Sequence, residues 1–264
     1  MSQSSQLRNA QSISLIQSVT PKGGSILEVS CGNGEVLLAL KNNGFEVKGT
    51  NYTKHQEVLC LSEIDHEIDL LKGLPYNSGS FDTVVLLDVI EHLQDHDKAI
   101  SELARVCKNN GHVIIKTPNI MKITSRLQLF LTGFFKQKRA FIGFDVPHEK
   151  AFSFHNYPVY LPIFLYQIKS HGLQLTKFIA SGYKIKSFFY LFLFFPFILV
   201  FTLIKVLFKE KNLKTSTDSR QVIRILTSIP GLCGESWYAI IKKSIRNETQ
   251  KTTLPIWSDK WEQK

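Results

Sequence analysis

Between Ser25 and Thr50 the chain runs strand, glycine bend, helix, strand, and that order leaves little choice of architecture. Ser25 to Val29 is an apolar strand interrupted only by Glu28, and Ser30-Cys31-Gly32-Asn33-Gly34 is a tight turn. Glu35 to Lys41 reads as a helix stopped by Asn42-Asn43-Gly44, and Phe45 to Thr50 is a second strand. Strands joined through a helix pair in parallel, so the unit seeds an open α/β sheet. The pattern recurs downstream. Phe81 to Leu87 is a buried strand, and Lys98 to Lys108 is a helix with Ile100, Leu103, Ala104 and Cys107 on one face. Asn109-Asn110-Gly111 is the expected stop of that helix, and His112 to Thr117 is the next strand, closed by Pro118. A helix over Pro158 to Ser170, a strand over Leu173 to Ala180 and a late strand over Trp237 to Ile241 complete the reading, with a short helix over Arg8 to Val19 leading in.

At 264 residues the chain suits one α/β domain with an elaboration. The four cysteines are far apart and form no C-x-x-C pair, which excludes a zinc-finger or disulfide framework and makes a reducing compartment the default. Met1 to Asn9 is polar, so no signal peptide is expected. The formal net charge of +10 points to an anionic partner: nucleic acid, a membrane surface or a phosphate-bearing substrate. Position narrows this, because Lys184, Lys186, Lys205, Lys209, Lys211 and Lys214 flank an almost wholly apolar run, Phe188 to Phe208.

In that run, 17 of the 21 residues are Phe, Leu, Ile or Val. As a helix it is about 31 Å long, close to the thickness of a bilayer core. A soluble core helix keeps one polar face, which this one lacks. If Leu173 to Ala180 and Trp237 to Ile241 belong to one sheet, both ends of the run lie on the same side. A single crossing is then forbidden, and the segment dips in and returns, with Pro196 as the natural break, or lies in the interface. Basic flanks fit a cytoplasmic membrane face with anionic lipid, and the cationic, aromatic stretch Ile120 to Phe144 is expected on the same surface.

The glycine bend carries the chemistry. Gly32 and Gly34 let the backbone turn sharply and approach a ligand, and the helix that follows offers free N–H groups. A dinucleotide site wants a small third residue in G-x-G-x-x-G/A, but Leu37 stands there. The stretch Ile26 to Gly34 instead resembles the first motif of the Rossmann-like (class I) S-adenosylmethionine-dependent methyltransferases. The resemblance continues in order through Leu74-Pro75-Tyr76, Ser80 to Val85, Leu87-Asp88-Val89-Ile90-Glu91-His92-Leu93, Arg105 to His112, Thr117-Pro118-Asn119 and His148 to Phe154. It covers roughly residues 25 to 180.

It implies a mostly parallel seven-stranded sheet with helices on both faces, here with an apolar helical insertion before the last strand. It further implies that Glu28 orients the glycine bend beside the methionine amino group of S-adenosyl-L-methionine, and that Ser30, Cys31, Gly32 and Gly34 line that cofactor. The family's acid that holds the ribose hydroxyls is replaced here by Asn51, with Tyr52 beside it. Asp69 and Leu70 match the adenine-contacting segment, and Asp88 and Val89 flank the methionine portion. A neutral amide makes weaker bonds than a carboxylate, so weakened rather than lost binding is expected.

For a hydroxyl acceptor, His92 and His148 are the candidate general bases, both expected on loops at the carboxyl edge of the sheet. His92 and His96 are four apart but lack the H-E-x-x-H pattern, and no metal site is expected. The domain layout reads as a methyltransferase domain over 1–184 (cofactor half about 20–120, substrate-side insertion about 120–150), an apolar membrane segment over 185–212, a return to the sheet over 213–246 and a polar tail over 247–264. The leading expectation is O-methylation of a lipid-linked or glycan acceptor at the cytoplasmic face of a membrane, with nucleic acid not expected as a partner. The alternatives are a small-molecule or quinone-type O-methyltransferase, an RNA methyltransferase, and a non-catalytic membrane adaptor with a degenerate cofactor site.

Overall fold

The computed structural model describes residues 3–54, 59, 61–136, 145–146, 154–204 and 217–244. Seven strands form one sheet: β1 (Ser25–Val29), β2 (Glu46–Thr50), β3 (Ile64–Asp65), β4 (Phe81–Leu87), β5 (Cys107–Pro118), β6 (Leu173–Tyr183) and β7 (Gly234–Lys243). Their order is β3-β2-β1-β4-β5-β7-β6. The first five are mutually parallel, and β7 runs antiparallel between β5 and β6. The chain leaves β1 toward β2 on one side, and β4 takes it to the other. The carboxyl ends of β1 and β4 therefore border the point where ligands lodge in open α/β sheets.

Side-chain alternation explains the layering. Along each central strand, neighbours point to opposite faces. Leu27, Val84, Leu86, Val113, Ile115, Trp237 and Ile241 enter one core with α3 (His96–Val106) and α5 (Leu161–Ser170). Ile26, Val85, Ile114 and Tyr238 enter the other with α1 (Gln3–Val19) and α2 (Glu35–Asn42). Burial on both faces is why β1, β4 and β5 read as near-continuous apolar runs. Tyr238 can be buried because its hydroxyl shares a 2.7 Å hydrogen bond with Ser12 of α1.

Several expectations require correction. The stop of α3 falls at Val106. Asn109-Asn110-Gly111 is extended backbone inside β5, where Asn110 takes a positive φ of 64° beside an irregularity in the β4–β5 register. The loose stretch after Pro118 contains a helix, α4 (Ile123–Thr132), whose pattern is blurred because only its first turn is buried. The return to the sheet, expected over 213–246, contains two helices before its strand, α7 (Thr217–Leu226) and α8 (Ile229–Cys233), the second of which brings the chain into β7.

The apolar run forms α6 (Ile185–Ile204), a continuous 20-residue helix that passes through Pro196 instead of breaking there. Proline removes one backbone hydrogen bond and can kink a helix without ending it. Because β6 and β7 pair directly, α6 leaves the sheet and the chain comes back to it. Its length and composition suffice to cross a membrane, and only 6% of its most apolar window is buried within the protein. Phe189, Phe192 and Phe201 stand in the open. Lys205, Lys209, Lys211 and Lys214 lie outside the described residues.

Candidate active site

The bend after β1 is built from left-handed backbone. Ser30 (φ 57°), Gly32 (φ 61°) and Gly34 (φ 79°) all have positive φ, and so does Asp88 (φ 54°) after the neighbouring β4. A non-glycine residue in that region costs about 1–3 kcal/mol, and two such residues ending adjacent strands mark a site where shape has priority over stability. Backbone bonds hold the bend, with Cys31 N donating to the Thr50 carbonyl (3.0 Å) and Gly34 N to the Cys31 carbonyl (3.1 Å). A side chain at Gly32 would project into open space, and Gly34, at the N-cap of α2, has no side chain to cap the helix, whose first N–H, that of Glu35, donates to Asn33 Oδ1 (3.4 Å).

Behind the bend stands Glu28, on the face of β1 that carries Ile26. Its carboxyl is 4% exposed and Oε2 has no hydrogen-bond partner among the described residues. Burial pushes its pKa up to about 8. A buried carboxyl without a partner is costly, and it is relieved by a cation.

Asn51 follows β2 directly, and its side chain is turned onto the bend. Oδ1 accepts from Gly32 N (2.9 Å) and Nδ2 donates to the Gly32 carbonyl (2.8 Å). Both ends of the amide are engaged by the protein. Tyr52 and Asp69 line a shallow cleft of about 630 Å³ with Glu67, Lys72 and Pro75. Asp69 also closes its own turn, accepting from Leu71 N (2.9 Å). Leu70 and Val89 pack their side chains into or against the core, so only their backbones can face a ligand.

The second half of the site is the loop after β4. A single 3-10 turn, Ile90–His92, puts Glu91 inside at 1% exposure. Its Oε2 accepts from the Thr117 hydroxyl at the end of β5 (2.9 Å), Oε1 has no partner among the described residues, and burial pushes the pKa up to about 7. His92 Nδ1 lies 2.9 Å from the Phe154 carbonyl, and its ring meets that of His155 edge-on at 4.8 Å between centroids. Since a carbonyl only accepts, Nδ1 carries the hydrogen and Nε2 the lone pair. Asp88 pairs with the buried Lys116.

The structure thus gathers Glu28, Ser30, Cys31, Gly32, Gly34 and Asn51 at one bend, with Asp88 and His92 on the adjacent loop. His148 lies outside the described residues. The sequence reading missed Glu91 and His155 as site residues. Glu91 was visible only as part of a motif, and His155 reaches the loop only through the fold.

Farther along this edge, α4, α6 and α7 enclose a cavity of about 710 Å³. Its walls are Leu127, Phe194, Phe197 and Phe201, and Arg126 and Tyr160 are polar members. Arg126 is held in place by the carbonyls of Met121 (2.6 Å) and Leu226 (3.2 Å). Tyr160 is five residues from His155, so one short segment joins cavity and loop.

A family model described as a methyltransferase domain matches residues 5–151, more than half of the chain. The chain is 30% identical over 106 residues to a ubiquinone biosynthesis O-methyltransferase from Alkalilimnicola ehrlichii, an overlap of 37% of this chain and 43% of that protein. It is 31% identical over 104 residues to an ajmaline N-methyltransferase from Rauvolfia serpentina, 36% of each. These matches take in less than half the length of either relative. A solved S-adenosylmethionine-dependent methyltransferase from Archaeoglobus fulgidus superposes with a TM-score of 0.52 at 19% identity, over 90% of this chain and 94% of that one, which shows the shared fold.

Proposed function

Since the chain belongs to the methyltransferase-domain family, we propose that it transfers a methyl group from S-adenosylmethionine to an oxygen of a small acceptor carried on a lipid at the membrane surface. The observation that carries the reading is the open glycine bend backed by the buried Glu28 carboxyl, whose Oε2 has no partner among the described residues. These residues fit the cofactor. Gly32 and Gly34 admit a close ligand without a Cβ, and Glu28 gains a cationic amino group in place of its proton.

When bound, the cofactor supplies an activated methyl on a sulfonium sulfur. The acceptor oxygen contributes its lone pair to the new C–O bond. The C–S bond breaks with its electrons left on sulfur, giving S-adenosylhomocysteine, and the hydroxyl proton departs. Most of the catalytic work left to the protein is alignment. Positive-φ Ser30 and Asp88 fix the ends of β1 and β4 around the reacting pair. Glu91, His92 and His155 border the acceptor side, where His92 Nε2 bears a lone pair able to take the proton.

The membrane reading rests on α6 and on the cavity beneath it. A helix of this hydropathy left uncovered in water would be a liability, whereas in lipid it is an anchor. The cavity walled by Phe194, Phe197 and Phe201 suits an alkyl chain, and Arg126 suits an anionic head. The ubiquinone-pathway relative is an O-methyltransferase by name, which agrees in reaction type. The cytoplasmic face follows from the basic flanks of α6.

The test has two arms. Full-length protein in nanodiscs is titrated with S-adenosylmethionine by calorimetry, and lipid extracts of cells with and without the protein are compared by mass spectrometry. Binding, together with lipid species that lose one methyl when the protein is absent, supports the reading. An absence of affinity at millimolar cofactor overturns it, as does an unchanged lipid profile. Asn51 favours a second reading, a non-catalytic adaptor, because its amide is spent on Gly32. The same titration separates the two.

A further inference from the structure

The loop after β4 carries a feature that methyl transfer alone does not need. Glu91, His92 and His155 each direct a ligand-type atom to one point, and those atoms lie within 4.8 Å of one another. Three observations show a built cluster. The Glu91 carboxylate is oriented through Oε2 by Thr117, which leaves the buried Oε1 without a partner among the described residues. His92 is oriented through Nδ1 by the Phe154 carbonyl, so the neutral ring keeps its lone pair on Nε2. The segment bearing His155 is tied to the loop by Tyr157 N donating to the Glu91 carbonyl (3.0 Å). A carboxylate and an imidazole, each fixed through its other heteroatom, are the outer-shell arrangement of metal ligands.

We propose that Glu91 Oε1, His92 Nε2 and a ring nitrogen of His155 bind one divalent first-row transition-metal cation, with further positions open toward the acceptor. Two imidazoles with one carboxylate select zinc, iron, manganese or cobalt over magnesium or calcium. Ligand atoms around a tetrahedral ion of this size stand roughly 3.4 Å apart, so ring and carboxyl rotations of about 1 Å close the site. The buried Glu91 carboxylate then gains a direct counter-charge in addition to the more distant Lys116. An acceptor hydroxyl on an open position is made more acidic by the cation. Proton acceptance and metal binding at His92 Nε2 exclude each other, so in the metal-loaded protein the hydroxyl proton leaves to water.

The site is tested without cofactor or acceptor, so its outcome is separate from that of the methyl-transfer reading. Full-length protein stripped with a chelator is titrated with Co²⁺, followed by visible absorption, and with Zn²⁺, followed by calorimetry. One cation per chain and a cobalt d–d band are expected. His155→Ala, in the partly exposed segment, is expected to weaken binding at least about tenfold, and Thr117→Val about tenfold through the freed carboxylate. Circular dichroism and the urea-unfolding midpoint report that each variant is folded. Wild-type protein with no stoichiometric binding at 100 μM Co²⁺ or Zn²⁺ (roughly the weakest affinity useful to a transition-metal site) overturns the proposal. So does full binding retained by folded His155→Ala.

Discussion

Glu28→Gln removes a titration that the fold makes expensive. Burial carries this carboxyl from 4.5 to about 8, which at about 1.36 kcal/mol per pH unit amounts to about 5 kcal/mol. The folded protein keeps a proton that the unfolded chain releases above pH 4.5. The associated stability is therefore complete below pH 4.5, declines as pH rises, and is gone above about pH 8. Glutamine does not titrate. Its amide adds a penalty of about 1–3 kcal/mol for imperfect pairing at every pH, so the informative quantity is the pH dependence of the difference. The stability of Glu28→Gln relative to wild type is expected to rise by about 3 kcal/mol between pH 4.5 and 7, and by about 4 kcal/mol by pH 8. Urea unfolding of both proteins in the same mild detergent, at four pH values, measures it. Glu91, the other buried carboxyl with a raised pKa, is common to both proteins and cancels. Stability curves that stay parallel across this range would refute the claim that Glu28 is held protonated by burial. The same variant is expected to lose about 10–100-fold in S-adenosylmethionine affinity, because a charge-assisted bond contributes about 1.5–3 kcal/mol.

Three further outcomes follow from the geometry. Gly49→Ala puts a Cβ 2.5 Å from Leu37 Cδ1 and 2.8 Å from Cys31 Sγ, so denaturation should show a loss of about 1–3 kcal/mol, and an unchanged midpoint would contradict the packing. Asn51→Asp keeps an acceptor for Gly32 N and frees a carboxylate oxygen for ribose hydroxyls. Calorimetry should show affinity for S-adenosylmethionine rising about tenfold, and equal or weaker binding would place the ribose elsewhere. Phe189→Asp with Phe192→Asp charges the outer face of α6 at about 3 kcal/mol per residue in the hydrocarbon region, so flotation with vesicles should fail, while flotation equal to wild type would detach α6 from the membrane.

The strand–bend–helix–strand unit was legible because it rests on local rules. Alternation and apolar runs located β1, β2 and β4 to within a residue, and Gly32 and Gly34 announced a bend that only residues without a Cβ enter readily. α4 was not legible, since its burial is partial and depends on α6 and α8, distant in the chain, and the start of α7 was hidden by its polar residues Thr217 to Gln221. Nor was β3, whose two residues carry no period. The continuity of α6 through Pro196 was misjudged, because an interior proline can be accommodated as a kink as well as a break.

What the sequence determined by itself was chemistry of short range: the bend, the acid behind it, and a helix that water will not cover. Tertiary structure alone decided where side chains separated along the chain came to point. It turned Asn51 onto Gly32, and it carried His155 across to Glu91 and His92. Local propensity fixes backbone within a few residues, whereas convergence of side chains depends on how the sheet orders its strands.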